Sequence, residues 1–275
     1  MMPFLYGEVQ EPESASLRVL LSTNHRTKAI VTTSWDDGDR ADLKIAELLG
    51  DRGLKGTFYI PLSSQLPSIR LTIPDLSSLS NKGFEIGGHT SSHRTLTKLK
   101  LSDIRREITT CKTALEQITG KAVSVFCYPN GRYTQEIIAE VKHAGYCGAR
   151  TTRMLSCTPD FASFKMPVTL QAFPHSQRAY LKNVLRAPSA GRWRLYVAHA
   201  RRCSGWVELA KRLFDQVLSR GGVWHLYGHS WEIESLQLWS ELREVLDHVH
   251  GREDVMYVSN GELLSLARLR SRYGY

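Results

Sequence analysis

Three short segments of this chain carry side chains that bind cations and move protons. Thr33-Ser34-Trp35-Asp36-Asp37-Gly38 sets two carboxylates next to each other. At the end of a β-strand, neighbouring residues point in different directions, so one carboxylate can hold a cation while the other stays available to take a proton. Gly38 lets the backbone turn away at once. Taken alone, Asp-Asp-Gly reads better as the cap of a helix beginning near Arg40. Gly87-Gly88-His89-Thr90-Ser91-Ser92-His93 supplies two imidazoles four residues apart, which share a face if the segment turns helically and then reach one ion at about 2.0–2.1 Å. Residues 221–232, Gly-Gly-Val-Trp-His-Leu-Tyr-Gly-His-Ser-Trp-Glu, deliver His229, an imidazole suited to protonating a leaving group. His225, earlier in the same segment, fits a hydrogen-bonded core or wall position better.

The elements that must position these groups follow from hydrophobic periodicity. Short apolar, β-branched runs predict strands at 29–34, 56–60, 84–88, 122–128, 146–150, 166–171, 222–227 and 254–258. Amphipathic stretches between them predict helices at 40–51, 102–119, 134–144, 207–219, 236–249 and 261–269. Glycines such as Gly120 and Gly145 fall where helical patterns stop, as the left-handed C-cap requires. Strands alternating with helices imply parallel pairing through crossover connections, hence an α/β fold, either a (β/α) barrel or an open sheet. Each chemical segment then lies just beyond a strand, where such folds gather their sites.

The chain has 275 residues, 42% hydrophobic and 23% charged, which allows one sizeable core and excludes disordered and fibrous architectures. The expected organisation is an N-terminal extension over 1–28 and a single domain over 29–275. The N-terminal residues lack a basic start followed by an apolar core, and no stretch approaches the roughly 18 apolar residues of a membrane span, so a cytoplasmic protein is expected. Five cysteines with no Cys-x-x-Cys pair argue against a disulfide framework and a zinc ribbon. Lys and Arg number 36 against 27 Asp and Glu, for a net charge of +9. Between Arg178 and Arg220 there are ten basic residues and two acids. Pro188, Gly191 and Trp193 interrupt any clean period there, so the segment around 178–205 reads as a basic insertion or long loop. Such a surface favours phosphorylated ligands or peripheral contact with an anionic membrane; stacking platforms and recognition motifs for a specific nucleic acid are absent.

The order Asp-Asp-Gly, His-Thr-x-x-His, Phe-x-x-Pro-x-Gly and a late strand ending in histidine resembles the NodB-homology polysaccharide deacetylases, carbohydrate esterase family 4, across roughly residues 30–258. The resemblance implies a distorted (β/α) barrel that removes an N-acyl group, most often acetyl, from an amino sugar with one divalent ion, usually zinc, with cobalt, nickel and manganese also suited to the donors. It assigns Asp37, His89 and His93 as ligands, Asp36 as general base, His229 as general acid, and a backbone N–H at Asn130, in Phe126-Cys127-Tyr128-Pro129-Asn130-Gly131, as the oxyanion donor. Tyr128, Pro129, Tyr227, Trp231 and Trp193 are candidates for the substrate wall, with His175 as an added polar group; Trp206, Trp224 and Trp239 are expected in the core. With no export signal, the expected substrate is a small oligosaccharide, or a lipid-linked or nucleotide-linked amino sugar. Two departures stand out. Cys127 occupies the place where many members carry the arginine that orients the base, and no Asp-Trp element precedes Lys165-Met166-Pro167. A substitute cation must come from elsewhere, or the base is tuned differently; the alternative function is an inactive carbohydrate binder on the same fold.

Overall fold

The computed structural model describes residues 29–63 and 70–273; the expected N-terminal extension lies outside them. In chain order the elements are β1 (Ala29–Asp36), α1 (Asp42–Gly50), β2 (Gly56–Ile60), α2 (Ile73–Asn81), β3 (Glu85–Gly88), α3 (Leu101–Thr119), β4 (Val125–Cys127), α4 (Gln135–His143), β5 (Gly148–Arg150), β6 (Leu170–Gln171), α5 (Gln177–Arg186), α6 (Ala190–Ala198), α7 (Trp206–Arg220), β7 (Gly222–His229), α8 (Ser230–Ser235), α9 (Trp239–Val249), β8 (Val255–Tyr257) and α10 (Asn260–Tyr273).

The strands pair in parallel in the order β5-β4-β3-β2-β1-β7-β6. β8 pairs with residues 29–31 of β1 while β2 pairs with residues 33–36, so β1 meets both. Parallel strands buried on both faces read as near-continuous apolar or small residues, and all eight positions of β1 are buried. The sheet curls until Met166, in the segment leading to β6, exchanges backbone hydrogen bonds with Ala149 and Thr151 around β5. The result is the expected α/β architecture in distorted-barrel form.

Alternation along β1 sorts its side chains. Ala29, Val31 and Trp35 join the large core beneath the helices, and Thr32, Ser34 and Asp36 lie on the opposite side. That inner side is polar, and each group finds a buried partner. Thr32 Oγ1 donates to Asn260 Oδ1 at 2.9 Å, Ser34 Oγ and His225 Nε2 are 2.8 Å apart, and Asp36 meets Arg150. Buried polar pairs of this kind fix one arrangement of a core. His225, with its Nδ1 3.2 Å from Pro167 O, has the wall position expected of it. Trp206, Trp224 and Trp239 are buried as expected.

Three differences from the periodicity reading have physical causes. α2 had not been anticipated, although Thr72 and Asp75 form a capping box with a proline in the first turn. α8 is a single six-residue helix behind His229, too short to show a period. The basic segment is not a long loop: α5 and α6 make a helical hairpin, N-capped by Ser176 and Ser189. Its short helices bury only two or three positions each, and one of these is a charge. Arg192, buried by α6, donates to the carbonyls of Met154, Ala187 and Asn183. An inward arginine erases the apolar stripe by which such helices are recognised.

Candidate active site

Asp36 ends β1, and its register partners are Tyr59 on β2 and His229 on β7. Asp37 follows at φ 80°, where side chains are strained, and turns out of the sheet. Thr90 (φ 69°), His93 (φ 55°) and Asn130 (φ 57°) are also left-handed, so four of the six such non-glycine residues described fall in the chemical segments. Backbone strain concentrated this way marks a functional site.

The two histidines converge, though not on a helical turn. Residues 89–93 form a bend folded by the left-handed Thr90 and His93, with the rings 4.8 Å apart. Gly88 permits the approach behind them, since a Cβ there would lie 2.2 Å from Tyr146 Oη. His89 is 2% exposed and its Nδ1–H donates to Cys127 O at 2.8 Å, which fixes the tautomer and leaves Nε2 facing Asp37 Oδ1 at 3.6 Å. His93 Nε2 lies 3.1 Å from the same oxygen. Glu107 of α3 holds the bend, accepting from Ser92 N at 2.8 Å and Ser92 Oγ at 2.5 Å while its carbonyl accepts from Ser91 N. Glu107→Ala is therefore expected to weaken divalent-cation binding about 10-fold to 100-fold through His93, as second-layer partners of metal ligands do; competition with a chromogenic chelator measures it.

Asp37 Oδ1 is buried without a hydrogen-bond donor, while Oδ2 accepts from Trp231 Nε1 at 2.9 Å. An orphan carboxylate oxygen facing two imidazole Nε2 atoms is a donor set for a divalent cation, and ligand atoms of Asp37, His89 and His93 lie within 4.8 Å of one another. Asp36, His89 and Cys127 also approach within that limit, but Asp36 is engaged by a guanidinium and burial pushes the Cys127 thiol well above its ordinary range, with Asp36 and Asp37 adding to the rise and Arg150 opposing it. The first trio fits an ion better.

The cation missing at Cys127 is supplied by Arg150. Parallel β4 and β5 align Cys127 with Arg150, so a guanidinium one strand over takes the empty place, contacting both Asp36 oxygens while Cys127 Sγ sits 3.7 Å from Oδ2. Arg150 is fully buried and lies 4.6 Å from the centroid of the Tyr227 ring and 5.3 Å from that of Tyr59. Burial would raise the Asp36 carboxyl, but Arg150, with His89 and His229, reverses this and holds it below the usual carboxylate range. Asp36 is thereby kept ionised. Residues 146–150 were legible as a strand, but nothing in the sequence said which neighbour Arg150 would face.

A second substitution serves His229. Its Nδ1 is 2.6 Å from Glu232 Oε2, and its Nε2 faces Asp36 and Asp37 at 3.9 Å each. Burial opposes the imidazolium, yet Glu232 and the two aspartates raise it to about 9. Gln171 Nε2 donates to Glu232 at 2.8 Å, and Gln171 Oε1 accepts from Tyr227 Oη at 2.7 Å and faces His175 Nε2 at 2.9 Å. His175 thus joins the hydrogen-bond chain behind His229. Glu232 follows His229 by three residues, one turn along α8, a spacing visible in the sequence but overlooked beside the absent Asp-Trp element.

The aromatic wall differs from expectation. Tyr128 is fully buried, stacked near Phe126 and Tyr133, and its Oη donates to Phe164 O. Tyr227 is 4% exposed and covers Arg150. Both are consumed in supporting the site from behind, because strand positions adjoining a buried guanidinium must shield it. Pro129 is buried in the turn after β4; Asn130 is exposed there, donating from Nδ2 to Thr95 Oγ1 at 2.9 Å. Trp231 is half-buried against Asp37 and His229. Trp193 stands on the α5–α6 hairpin.

Comparison with known proteins follows this geometry. The family model described as polysaccharide deacetylase matches residues 23–149. YxkH of Bacillus subtilis (strain 168), a provisionally named polysaccharide deacetylase, is 25% identical over 142 residues, 51% of this chain; the chain spans about half the length of that curated relative, 50%. A provisionally named polysaccharide deacetylase from Mycobacterium smegmatis superimposes with a TM-score of 0.66 at 16% identity, covering 90% of this chain and 93% of that one. The chitin deacetylase of the fungal pathogen Colletotrichum lindemuthianum gives 0.56 at 15%, covering 85% and 86%; these two likenesses concern the fold. The family match runs from the approach to β1 as far as β5, so the stretch that carries both the Asp-Asp-Gly and the His-x-x-x-His segments is similar to the polysaccharide deacetylases.

Proposed function

We propose that this protein is a metal-dependent N-deacetylase that hydrolyses the N-acyl amide, most readily acetyl, of an amino sugar. The observation carrying this reading is the geometry: Asp36, locked to Arg150, lies beside an Asp37–His89–His93 donor set and opposite His229. A divalent cation on those donors, zinc or else cobalt, nickel or manganese, supplies Lewis-acid polarisation of an amide carbonyl and of water.

The chain's own residues do the rest. Asp36 accepts a proton from the water that adds to the acyl carbon. The turn at Asn130 offers backbone N–H to the developing oxyanion. His229, oriented by Glu232, gives its Nε2 proton to the sugar nitrogen as the C–N bond breaks, releasing a carboxylate and a free amine. His229 regains a proton from solvent, and Asp36 loses the one it took. Arg150 and Glu232 are positioning residues for base and acid. Because Arg150 supplies a cation for the base, the inactive-binder alternative loses the gap that motivated it.

The proposed substrates are N-acetylated amino sugars in a small oligosaccharide or linked to a lipid or nucleotide, supported by the basic surface, which suits a phosphorylated carrier. The expected result is acetate release from one of these, abolished by a strong chelator and restored by adding back zinc. Acetate from polymeric chitin alone would overturn the substrate class. No acetate from any donor, with one zinc bound per chain, would overturn the activity.

Regarding membranes, no described helix is long and apolar enough to span one.

A further inference from the structure

Residues 161–207 contain no Asp or Glu and eight Lys or Arg. Most of these cations are carried by the α5–α6 hairpin and the short turn after it, and folding sorts them. On α5, Tyr180 and Val184 are buried, while Arg178, Lys182, Leu185 and Arg186, spaced as one helical face, are exposed. On α6, Leu195 and Tyr196 are buried, while Trp193, Arg194 and Val197 are exposed. Leu185 is 57% exposed, Val197 42% and Trp193 36%, so three of the seven large apolar side chains exposed among the described residues fall within thirteen positions. None of Arg178, Lys182, Arg186, Arg194, Arg201 and Arg202 makes an ion pair among the described residues. Arg192 holds the hairpin rigid from beneath.

Unpaired cations interleaved with protruding Leu, Val and Trp suit an interface that is anionic outside and apolar within. We propose that the α5–α6 hairpin docks this protein on an anionic lipid bilayer, its cations at the phosphates and Leu185, Trp193 and Val197 in the headgroup–acyl boundary. A nucleic acid would use the cations but leave Leu185 and Val197 unused, and the face offers one stacking aromatic where single-strand binders use several. The hairpin starts just after His175, which reaches Gln171 behind His229, so it leaves the sheet at the end that holds the site. That docking would bring the site to a lipid-linked amino sugar rests on the deacetylase reading; the docking itself does not.

The test is co-sedimentation of the full chain with vesicles of phosphatidylcholine containing about one-third phosphatidylglycerol, against pure phosphatidylcholine. Binding to the anionic vesicles only is expected. Arg178→Glu with Lys182→Glu and Arg186→Glu should lower partitioning about tenfold or more, and Leu185→Ser with Val197→Ser should lower it at high salt, where charge is screened. All five positions are exposed, and an unchanged melting midpoint verifies folding. Absence of binding to anionic vesicles, or binding that ignores both sets of changes, overturns the proposal. So does single-stranded DNA that competes at equal phosphate and is insensitive to the Leu185 and Val197 changes, which would assign the face to nucleic acid. Acetate release from an uncharged N-acetylated oligosaccharide, measured on the same variants, is expected to be unchanged; wild-type protein that binds vesicles but hydrolyses nothing would sink the deacetylase reading and leave the docking standing.

Discussion

Asp36→Asn is expected to lower acetate release by about 10²-fold to 10⁴-fold, the range a general base contributes, while bound metal per chain stays at the wild-type level. The amide keeps the shape of the carboxylate but cannot accept the proton of the attacking water. It also leaves the buried Arg150 without its counter-charge, so part of the change will register as lower thermal stability. Metal content separates the two aspartates: Asp37 Oδ1 faces His89 and His93, so Asp37→Asn should lose metal and turnover together. Turnover by Asp36→Asn within a few-fold of wild type would remove Asp36 from the mechanism.

Arg150→Met is expected to damage both folding and rate. Removing one member of a buried ion pair strands the other charge, at a cost of about 3–5 kcal/mol, and for a chain of this size the melting midpoint should fall by about 10 °C. Without the guanidinium, burial dominates at Asp36 and raises its pKa, so the residual rate should recover as pH rises. The register suggests a repair: because Cys127 lies alongside Arg150, Cys127→Arg in the Arg150→Met background should bring a cation back to Asp36 from β4 and regain stability and activity. Either variant alone, the arginine on β5 removed or a second buried cation added on β4, should be worse than the pair. An Arg150→Met protein with wild-type melting and wild-type turnover would show that Asp36 does not depend on this partner.

Much of the site was legible in the residues themselves. Asp36, Asp37, His89, His93 and His229 stand out because they lie just beyond strands, where α/β folds gather their sites, and all five meet at one end of the sheet. Their supports were not legible. Arg150 and Glu107 sit 114 and 15 residues from the groups they hold, and an arginine within an apolar strand or a glutamate within an amphipathic helix carries no local sign of its partner. Tyr128 and Tyr227 were misplaced on the wall for the same reason: a strand residue's side is set by register and barrel curvature, which periodicity over two or three residues cannot specify.

Local order was therefore written in the chain. The alternation of strands and helices and the identity of the proton-transferring groups depend on neighbours within a turn or a strand. Which charge neutralises which depended on the closed sheet. Electrostatic pairing in a dry interior is decided by distances of a few ångströms between strands that the sequence lists far apart, and only pairing in space could move the cation for Asp36 from β4 to β5 and turn a run of unpaired arginines into one exposed face.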